Sequence, residues 1–206
     1  MAKILQKDAS ILRATAEPVN PKDFTSPRLA KILDDMKSAL DKEEDGVAIA
    51  APQIGVPLRI FIVSHRAFEI ELEEKDKINS VVEKTSEQQM PVDSKIKLRD
   101  MVFINPEIVK LSRKKVWVPE GCLSVRWLYG EVLRSDKATI RAYDENGKPF
   151  TYGGSGLLAQ IFQHETDHLN GLLFIDTARD LEVITREDQE RMRKEDAQKK
   201  GQSEKL

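Results

Sequence analysis

Residues 163–168 read Gln163-His164-Glu165-Thr166-Asp167-His168 and contain two of the three histidines of the chain. On an α-helix, positions four residues apart share a face, so His164 and His168 can converge on one metal ion. Glu165 is rotated by about 100° from His164, which lets it reach the open side of that ion without binding it. A carboxylate there can take a proton from water bound to the metal, which is the chemistry of an HExxH motif. The stretch therefore predicts a catalytic metal site on a helix.

The sequence around this stretch predicts that the helix spans about 156–170 and is largely buried. Gly171 is placed to end it, and apolar side chains fill its first half, at Leu157, Leu158, Ile161 and Phe162. The five-residue pattern also recurs by chance on charged helices. Buried imidazole and carboxylate groups need partners, however, and a metal ion supplies them, which favours the metal site.

An open catalytic site needs a third protein ligand, and the sequence leaves more than one candidate. Cys122 is the only cysteine, so no disulfide can form within the chain. A lone cysteine is often only a small buried apolar residue, but beside a two-histidine site it is a serious ligand candidate. Glu182 and Glu187 are the downstream alternatives, in a segment with little apolar character.

The remaining pattern predicts an α+β fold with antiparallel β-sheets that surround a central HExxH-bearing helix. An N-terminal helix is expected over 26–43, with Ser26 as N-cap and Pro27 at its first position. Strands are expected at 59–63, 101–105, 115–118 and 138–143. The Asn146-Gly147 dipeptide predicts a hairpin turn, whereas 46–55 reads as a small-residue loop or irregular edge segment.

Two charged segments lie outside this pattern. The segment 65–100 is poor in large apolar residues, and we expect a mobile surface insertion whose weakly alternating ends could extend a hairpin. After residue 180 the chain becomes polar, and Thr185 could cap a last helix. The sequence thus predicts one catalytic domain over 1–180, with the insertion at about 65–100, and a polar C-terminal helix or flexible tail over 181–206.

Composition narrows the classes of function and the location. The chain has 206 residues with a formal net charge of -2, which gives no reason to expect direct DNA binding. It has no apolar run of the roughly 20 residues that span a membrane and no apolar core of a signal peptide near residue 1. With a single cysteine, these features predict a cytoplasmic protein.

Three motifs in order resemble those of one family, the peptide deformylases. Residues 46–53 resemble its GxGxAAxQ motif, residues 120–124 match its EGCLS motif, and residues 163–168 match its QHExDH motif. The resemblance covers about 3–180. It implies an α+β fold and a metal-dependent hydrolase that removes the formyl group from the N-terminal methionine of nascent polypeptides.

The resemblance also implies roles for individual residues. Cys122, His164 and His168 would bind the metal, typically Fe²⁺, with Ni²⁺, Co²⁺ or Zn²⁺ able to occupy the site. Glu165 would be the general base and acid. Gln53 and the backbone N–H of Leu123 would stabilise the oxyanion. Asp167 and Arg134 are candidates to hold the ligands in place. The register of the motifs assigns substrate binding to Val47, Ala48, Val118, Gly121, Leu157, Gln160 and Ile161. For Val47, Val118, Leu157 and Ile161, packing in the core is an open alternative.

The chain departs from the family pattern at three places. Ala48 stands where glycine is usual, so its backbone is either ordinary or strained. Arg126 and Trp127 follow Val125 where proline is common. Gln160 lies one turn before His164, where an apolar residue usually lines the methionine pocket, and it could bond the peptide, another side chain or water.

Two rival functions stay open at this stage. A general HExxH metallopeptidase would complete its site with an acid such as Glu182 in place of Cys122. A non-catalytic homologue would bind formyl-peptides or metal without turnover. A contact of the C-terminal segment with the ribosome is a further expectation of the resemblance, but its acidic and basic side chains are nearly equal in number.

Overall fold

The computed structural model describes residues 2–82, 99–185, 187–188 and 191, with only the backbone given for 74–82. The helices of this part are α1 (Pro27–Leu40), α2 (His65–Val82) and α3 (Gly156–Leu169). Its strands are β1 (Ala48–Ala50), β2 (Ile60–Val63), β3 (Met101–Leu111), β4 (Lys115–Gly121), β5 (Leu128–Ser135), β6 (Lys137–Tyr143), β7 (Pro149–Ser155) and β8 (Arg179–Val183). Of the helices described, none combines the length and the apolar character needed to cross a membrane.

The strands form two antiparallel sheets. One sheet has five strands in the order β1-β2-β3-β6-β7, and the other has three in the order β4-β5-β8. Helix α3 contacts strands of both sheets, among them β6 and β7 of the first and β5 of the second. The expected class, helices with antiparallel sheets, is confirmed.

Strand β2 shows why the five-stranded sheet is covered on both faces. Its alternate residues Phe61 and Val63 belong to the apolar cluster around α3, whereas Ile60 and Ile62 belong to the cluster around α1. Successive side chains of a strand point to opposite faces, so an unbroken apolar run marks a strand buried on both sides. The predicted strand is confirmed, and α1 and α3 cover its opposite faces.

Helix α1 begins as the sequence predicts and ends earlier. Ser26 Oγ accepts a hydrogen bond from the Leu29 N–H at 3.1 Å, and Pro27 is the first helical residue. The helix ends at Leu40, whose carbonyl accepts a hydrogen bond from Arg66 Nη2 at 3.0 Å. A side chain distant in sequence thus satisfies a carbonyl of the last turn.

The predicted hairpin is present between β6 and β7. Gly147 has a φ of +75° and its N–H donates to the Asp144 carbonyl at 3.0 Å. A Cβ at Gly147 would come within 2.8 Å of Phe24 Cδ2. Both the turn conformation and the close approach of the Phe24 ring therefore require glycine here.

The expectation of a surface insertion with hairpin-like ends was wrong for residues 65–82, which form helix α2. Ala67, Phe68 and Glu71 are buried at helical spacing. The rings of Phe68 and Tyr152 pack edge to face, with their centroids 6.2 Å apart. Ile70 and Leu72, which suggested strand alternation, are exposed. Packing against the core selects the helical period here. Residues 83–98 lie outside the described part.

Residues 181–183 differ from the expected C-terminal helix or tail, because they belong to a strand. Strand β8 (Arg179–Val183) pairs with β5, which places residues 181–183 in the three-stranded sheet. Beyond it, the Asp188 N–H donates to Thr185 Oγ1 at 3.2 Å, and the Thr185 N–H donates to Asp188 Oδ2 at 3.0 Å. This reciprocal pair is the capping geometry expected of Thr185. Most of the expected C-terminal helix lies outside the described residues.

Candidate active site

Helix α3 carries the two histidines on one face. The ring centroids of His164 and His168 are 5.0 Å apart. The helix ends where predicted, because Gly171 adopts a φ of +76° and donates its N–H to the His168 carbonyl at 3.2 Å. A Cβ at Gly171 would come within 2.7 Å of the Arg13 carbonyl oxygen. Glycine therefore lets the chain turn away directly after the second histidine.

The third member of the cluster is Cys122, which follows the last residue of β4. Cys122 Sγ lies 3.1 Å from His168 Nε2. Ligand atoms of Cys122, His164 and His168 all lie within 4.8 Å of one another. Gly121 permits this arrangement because a Cβ there would collide with the Tyr129 ring. The structure thus brings together the three residues that the sequence predicted as ligands.

The downstream acids that could have replaced Cys122 are not part of this cluster. Glu182 is exposed on β8, and Glu187 is exposed beyond it. Within the described residues, the one group of three or more potential ligands is the Cys-His-His cluster. The geometry therefore gives no support to a site completed by Glu182 or Glu187.

The electrostatics of the cluster favour a thiolate at Cys122 beside a positively charged group. Burial opposes ionisation of the Cys122 thiol, but the charge of His168 and hydrogen bonds from both histidines outweigh it and lower the pKa of the thiol from 9.0 to about 5. Burial also opposes the charged form of His164, yet its hydrogen bonds to Cys122 and Glu120 raise its pKa well above 6.5. Positive charge beside the sulfur is thus strongly favoured, as a cation site requires.

A buried ion-pair network holds the first histidine in place. His164 Nδ1 lies 2.9 Å from Glu120 Oε2, and Arg134 donates to both Glu120 oxygens at 2.7 and 3.0 Å. Arg134 Nη1 also donates to Asp167 Oδ2 at 2.6 Å. Although burial opposes it, these bonds lower the pKa of Glu120 from 4.5 to about 2. The sequence indicated Arg134 and Asp167 as supports but missed Glu120, whose position in the EGCLS motif was the available signal.

Gln53 lies beside the cluster and is almost fully buried. Its Oε1 accepts a hydrogen bond from the Ala50 N–H at 2.7 Å, and its Nε2 donates to Ser124 Oγ at 3.0 Å. Nε2 also lies 3.6 Å from Cys122 Sγ. The amide is therefore held in a fixed orientation, with one weak contact directed at sulfur. Ser124, which orients it, was not recognised in the sequence.

Glu165 is buried next to the histidines without being one of the cluster. Its Oε2 has no hydrogen-bond partner among the described residues. Burial raises its pKa from 4.5 to about 7, against the lowering effect of the two histidines. A carboxylate of this kind can exchange a proton near neutral pH.

A cleft of about 280 Å³ opens over these groups. Of the residues that the motifs assign to substrate binding, all line the cleft except Val118, which is half-buried outside it. Ala48 pairs with Val63 in the sheet and is not one of the residues with positive φ, so its backbone is ordinary. Gln160 donates to the Pro119 carbonyl at 2.8 Å. The lining comprises Asp45, Gly46, Val47, Ala48, Gln53, Pro119, Glu120, Gly121, Cys122, Leu123, Arg126, Tyr129, Leu157, Gln160, Ile161, His164 and Glu165.

An ion pair crosses the rim of this cleft. Arg126 Nη1 lies 2.5 Å from Asp45 Oδ2, and Arg126 Nη2 lies 2.8 Å from Glu43 Oε2. The pair joins the chain after Cys122 to the loop that precedes β1. The sequence marked Arg126 as a departure at the rim, and only the structure identifies its partners.

Comparisons with known proteins agree with this geometry. A family model described as polypeptide deformylase matches residues 1–183. The chain is 35% identical over 176 residues to peptide deformylase 2 of Clostridium acetobutylicum. The aligned residues cover 85% of this chain and 94% of that protein. Its fold is similar to the crystal structure of a peptide deformylase from Legionella pneumophila, with a TM-score of 0.67, 33% identity and 98% of each chain covered.

A second solved structure is informative about ligands. The class I type b peptide deformylase from Acinetobacter baumannii, bound to Met-Ala-Ser, matches with a TM-score of 0.66 and 27% identity over 86% of this chain and 98% of that one. The match of the family model over nearly the whole described chain, together with these relatives, decides the classification. The chain belongs to the peptide deformylase family of enzymes.

Proposed function

We propose that this protein hydrolyses the formamide at the N-terminal methionine of nascent polypeptides, with Glu165 as the proton carrier. The observation that carries the proposal is the position of Glu165, a buried carboxylate with an unpartnered oxygen, in one cleft with His164 and Cys122. Family membership and the Met-Ala-Ser complex of the Acinetobacter relative support a formylated methionyl peptide as substrate.

The residues present fit a resident metal ion. Cys122, His164 and His168 would hold it, and a thiolate with two imidazoles suits Fe²⁺, Ni²⁺, Co²⁺ or Zn²⁺ better than Mg²⁺ or Ca²⁺. When bound, such an ion would polarise a carbonyl and lower the pKa of water towards about 7. We take Fe²⁺ as the working metal, which would make activity sensitive to oxidation at the site. In this proposal α3, which carries the HExxH motif, is the central helix of the fold.

Glu165 moves the proton in this scheme. With a pKa of about 7, its carboxylate can accept a proton from the attacking water and return it to the departing amide nitrogen. The carboxylate oxygen Oε2 of Glu165 is fully buried, so bulk water does not reach it. The proton is therefore held at the site between the two steps.

Gln53 and Leu123 are the proposed donors to the developing oxyanion. The Gln53 N–H that faces Cys122 Sγ at 3.6 Å makes only a long contact and is the one available to substrate. The other N–H stays on Ser124, so the amide needs no reorganisation. Donors fixed in advance in this way are each worth about 3–4 kcal/mol of transition-state stabilisation. The backbone N–H of Leu123 would be the second donor.

The apolar part of the cleft would receive the methionine side chain. Val47, Leu157 and Ile161 line it, with Ala48 and Gly121 offering backbone edges to the peptide and Gln160 the one polar side chain on this part of α3. Val118 would act from behind this lining. We place the end of the catalytic domain at the end of β8, near residue 183, and propose the segment that follows as its polar C-terminal extension. Its contact with the ribosome, and a cytoplasmic location, are part of the proposal.

The first experiment is anaerobic release of formate from formyl-Met-Ala-Ser by the Fe²⁺-loaded protein, with three variants alongside. Cys122→Ala should lose both tight iron binding and turnover, whereas Glu165→Gln should keep iron and lose turnover. Glu182→Gln is the matched control and should behave as wild type. Iron binding without formate release by the wild type would overturn the proposal in favour of a binding protein, and near-normal turnover by Glu165→Gln would overturn the assigned proton carrier.

A further inference from the structure

Gln160 is a polar side chain in the otherwise aliphatic part of the cleft formed by α3. Its nearest cleft-lining neighbours on the helix are Leu157 and Ile161. It is half-buried, and its Nε2 donates one hydrogen to the Pro119 carbonyl at 2.8 Å. Within the described residues, this is the one hydrogen bond that the Gln160 side chain makes. One N–H and the side-chain oxygen therefore stay available to a ligand, since a primary amide offers two donors and an acceptor.

The contact with Pro119 fixes where the available N–H is presented. A glutamine side chain in solution samples many rotamers, and holding it costs conformational entropy. Here the exposed Pro119, near the end of β4, holds the amide nitrogen of Gln160 through one hydrogen bond to its carbonyl. The second N–H of the same nitrogen is then directed by the first. Gln160 is thus prepared to meet a ligand atom in the cleft.

The distance along α3 indicates which ligand atom this is. Gln160 precedes His164 by four residues, so it lies on the same face and about 6 Å further along the helix axis. In a formyl-methionyl peptide, the formyl carbon is separated from the thioether sulfur by five covalent bonds of about 1.5 Å each, or roughly 6 Å when extended. A methionine side chain that extends along α3 from a formyl group at His164 and Glu165 would therefore bring its sulfur within reach of Gln160.

We propose that Gln160 is a specificity-determining residue whose amide N–H donates to the heteroatom of the first side chain of the substrate. The inference rests on the proposed deformylase function. The thioether sulfur is a weak acceptor, so the enzyme should prefer formyl-methionine to formyl-norleucine, in which a methylene replaces sulfur at the same length. The oxygen of methionine sulfoxide is a stronger acceptor, so peptides that begin with formyl-methionine sulfoxide form a second substrate class for this site.

The test compares three substrates that differ at one position: formyl-Met-Ala-Ser, formyl-norleucyl-Ala-Ser and formyl-(methionine sulfoxide)-Ala-Ser. The wild type is measured beside Gln160→Met, which keeps an unbranched side chain of similar size without the donor. Leu172→Met is the matched control, since Leu172 is exposed, lies outside the cleft and leaves Gln160 in place. Pro119 is exposed, so water can replace the lost donor and Gln160→Met should fold.

We expect the wild type and Leu172→Met to have a kcat/KM for formyl-Met-Ala-Ser about threefold to tenfold above that for the norleucine peptide, as one modest hydrogen bond supplies. In Gln160→Met this ratio should fall to about one. The sulfoxide peptide should lose about tenfold more activity in Gln160→Met than in Leu172→Met, because the sulfoxide oxygen then enters the pocket without a partner. Equal substrate ratios in wild type and Gln160→Met would overturn the inference and leave the deformylase function intact.

A second measurement does not depend on turnover. Isothermal titration calorimetry measures the affinities of the products Met-Ala-Ser, norleucyl-Ala-Ser and (methionine sulfoxide)-Ala-Ser. In the wild type these affinities should follow the same order as the kcat/KM values of the corresponding formyl-peptides. In Gln160→Met the differences between the three affinities should be smaller. If no formate is released from any substrate, the deformylase proposal fails. The order of product affinities then decides whether Gln160 recognises the side chain, and an order unchanged by Gln160→Met rejects that role.

Discussion

Glu120 Oε2 lies 2.9 Å from His164 Nδ1, and this contact leaves Nε2 as the ring nitrogen of His164 available to a metal. The carboxylate is held in turn by two hydrogen bonds from Arg134. Partners of this kind fix the tautomer and the orientation of a ligand histidine. A residue that would not itself bind the metal thus sets the geometry of one that would.

Replacing Glu120 should weaken metal binding. Glu120→Gln keeps the shape of the side chain but removes the charge that stabilises the His164 Nδ1–H. We expect metal affinity to fall by about 10–100-fold, measured by competition with a chromogenic chelator. Glu107→Gln, which breaks an exposed pair with Arg141, is the control and should leave affinity unchanged. An affinity within twofold of wild type in Glu120→Gln would contradict this role.

Replacing Arg134 should destabilise the fold. The Arg134 side chain is 9% exposed and pairs with Glu120, which is 1% exposed, and with Asp167. Arg134→Met leaves the buried Glu120 carboxylate with His164 as its remaining partner, at a cost of about 3–5 kcal/mol in the free energy of unfolding. Urea unfolding measures this cost. Arg141→Met removes an arginine that pairs with Glu107, and both of these side chains are 62% exposed. This variant should have little effect on the free energy of unfolding. If both variants lost a similar amount of unfolding free energy, burial of the network would not explain the loss in Arg134→Met.

The pH dependence of stability should report the burial of Glu165 in the metal-free protein. Its pKa is raised from 4.5 in the unfolded chain to about 7 in the folded chain. The proton on Glu165 therefore stabilises the fold fully below about pH 4.5, and this contribution is lost as the pH rises through about 7. Relative to Glu165→Gln, the wild type should lose about 3 kcal/mol of unfolding free energy between pH 4.5 and pH 8. Chelator-treated samples unfolded in urea across this range give the comparison, and parallel profiles would refute the raised pKa.

The Arg126 ion pairs at the rim should stabilise the loop before β1 in a salt-dependent way. Arg126 is 18% exposed and faces Asp45 and Glu43, so both charges are partly shielded from water. Arg126→Gln should lower the unfolding free energy by about 1 kcal/mol at low salt and by much less in 1 M NaCl. Arg126→Lys should recover part of the loss. Thermal unfolding at the two salt concentrations tests this, and a loss that does not depend on salt would point to packing instead.

The sequence was most informative where one element carries its own chemistry. The HExxH helix, its glycine terminus and the Ser26 cap of α1 could all be read locally, because helical spacing and capping depend on a few neighbouring residues. The structure places Cys122 beside His164 and His168, as predicted from the scarcity of cysteine and the motif resemblance. Their ligand atoms lie within 4.8 Å of one another although the cysteine is more than 40 residues from either histidine.

The sequence was misleading at α2. Phe68, Ile70 and Leu72 suggested a strand period, but the structure buries Ala67, Phe68 and Glu71. Amphipathic periodicity is weak in a charged segment, so contact with α3 and the Tyr152 ring decides which residues turn inward. No local signal could supply that contact.

By itself the sequence determined the class of fold, the helix that carries two histidines and the residues that we propose bind a metal and move a proton. These follow from residue type and spacing along single elements. The tertiary structure alone decided that Glu120 orients His164, that Arg134 joins Glu120 to Asp167, and that Gln160 is anchored to Pro119. Each is a contact between elements, and its energy depends on distance and burial that spacing along the chain does not encode.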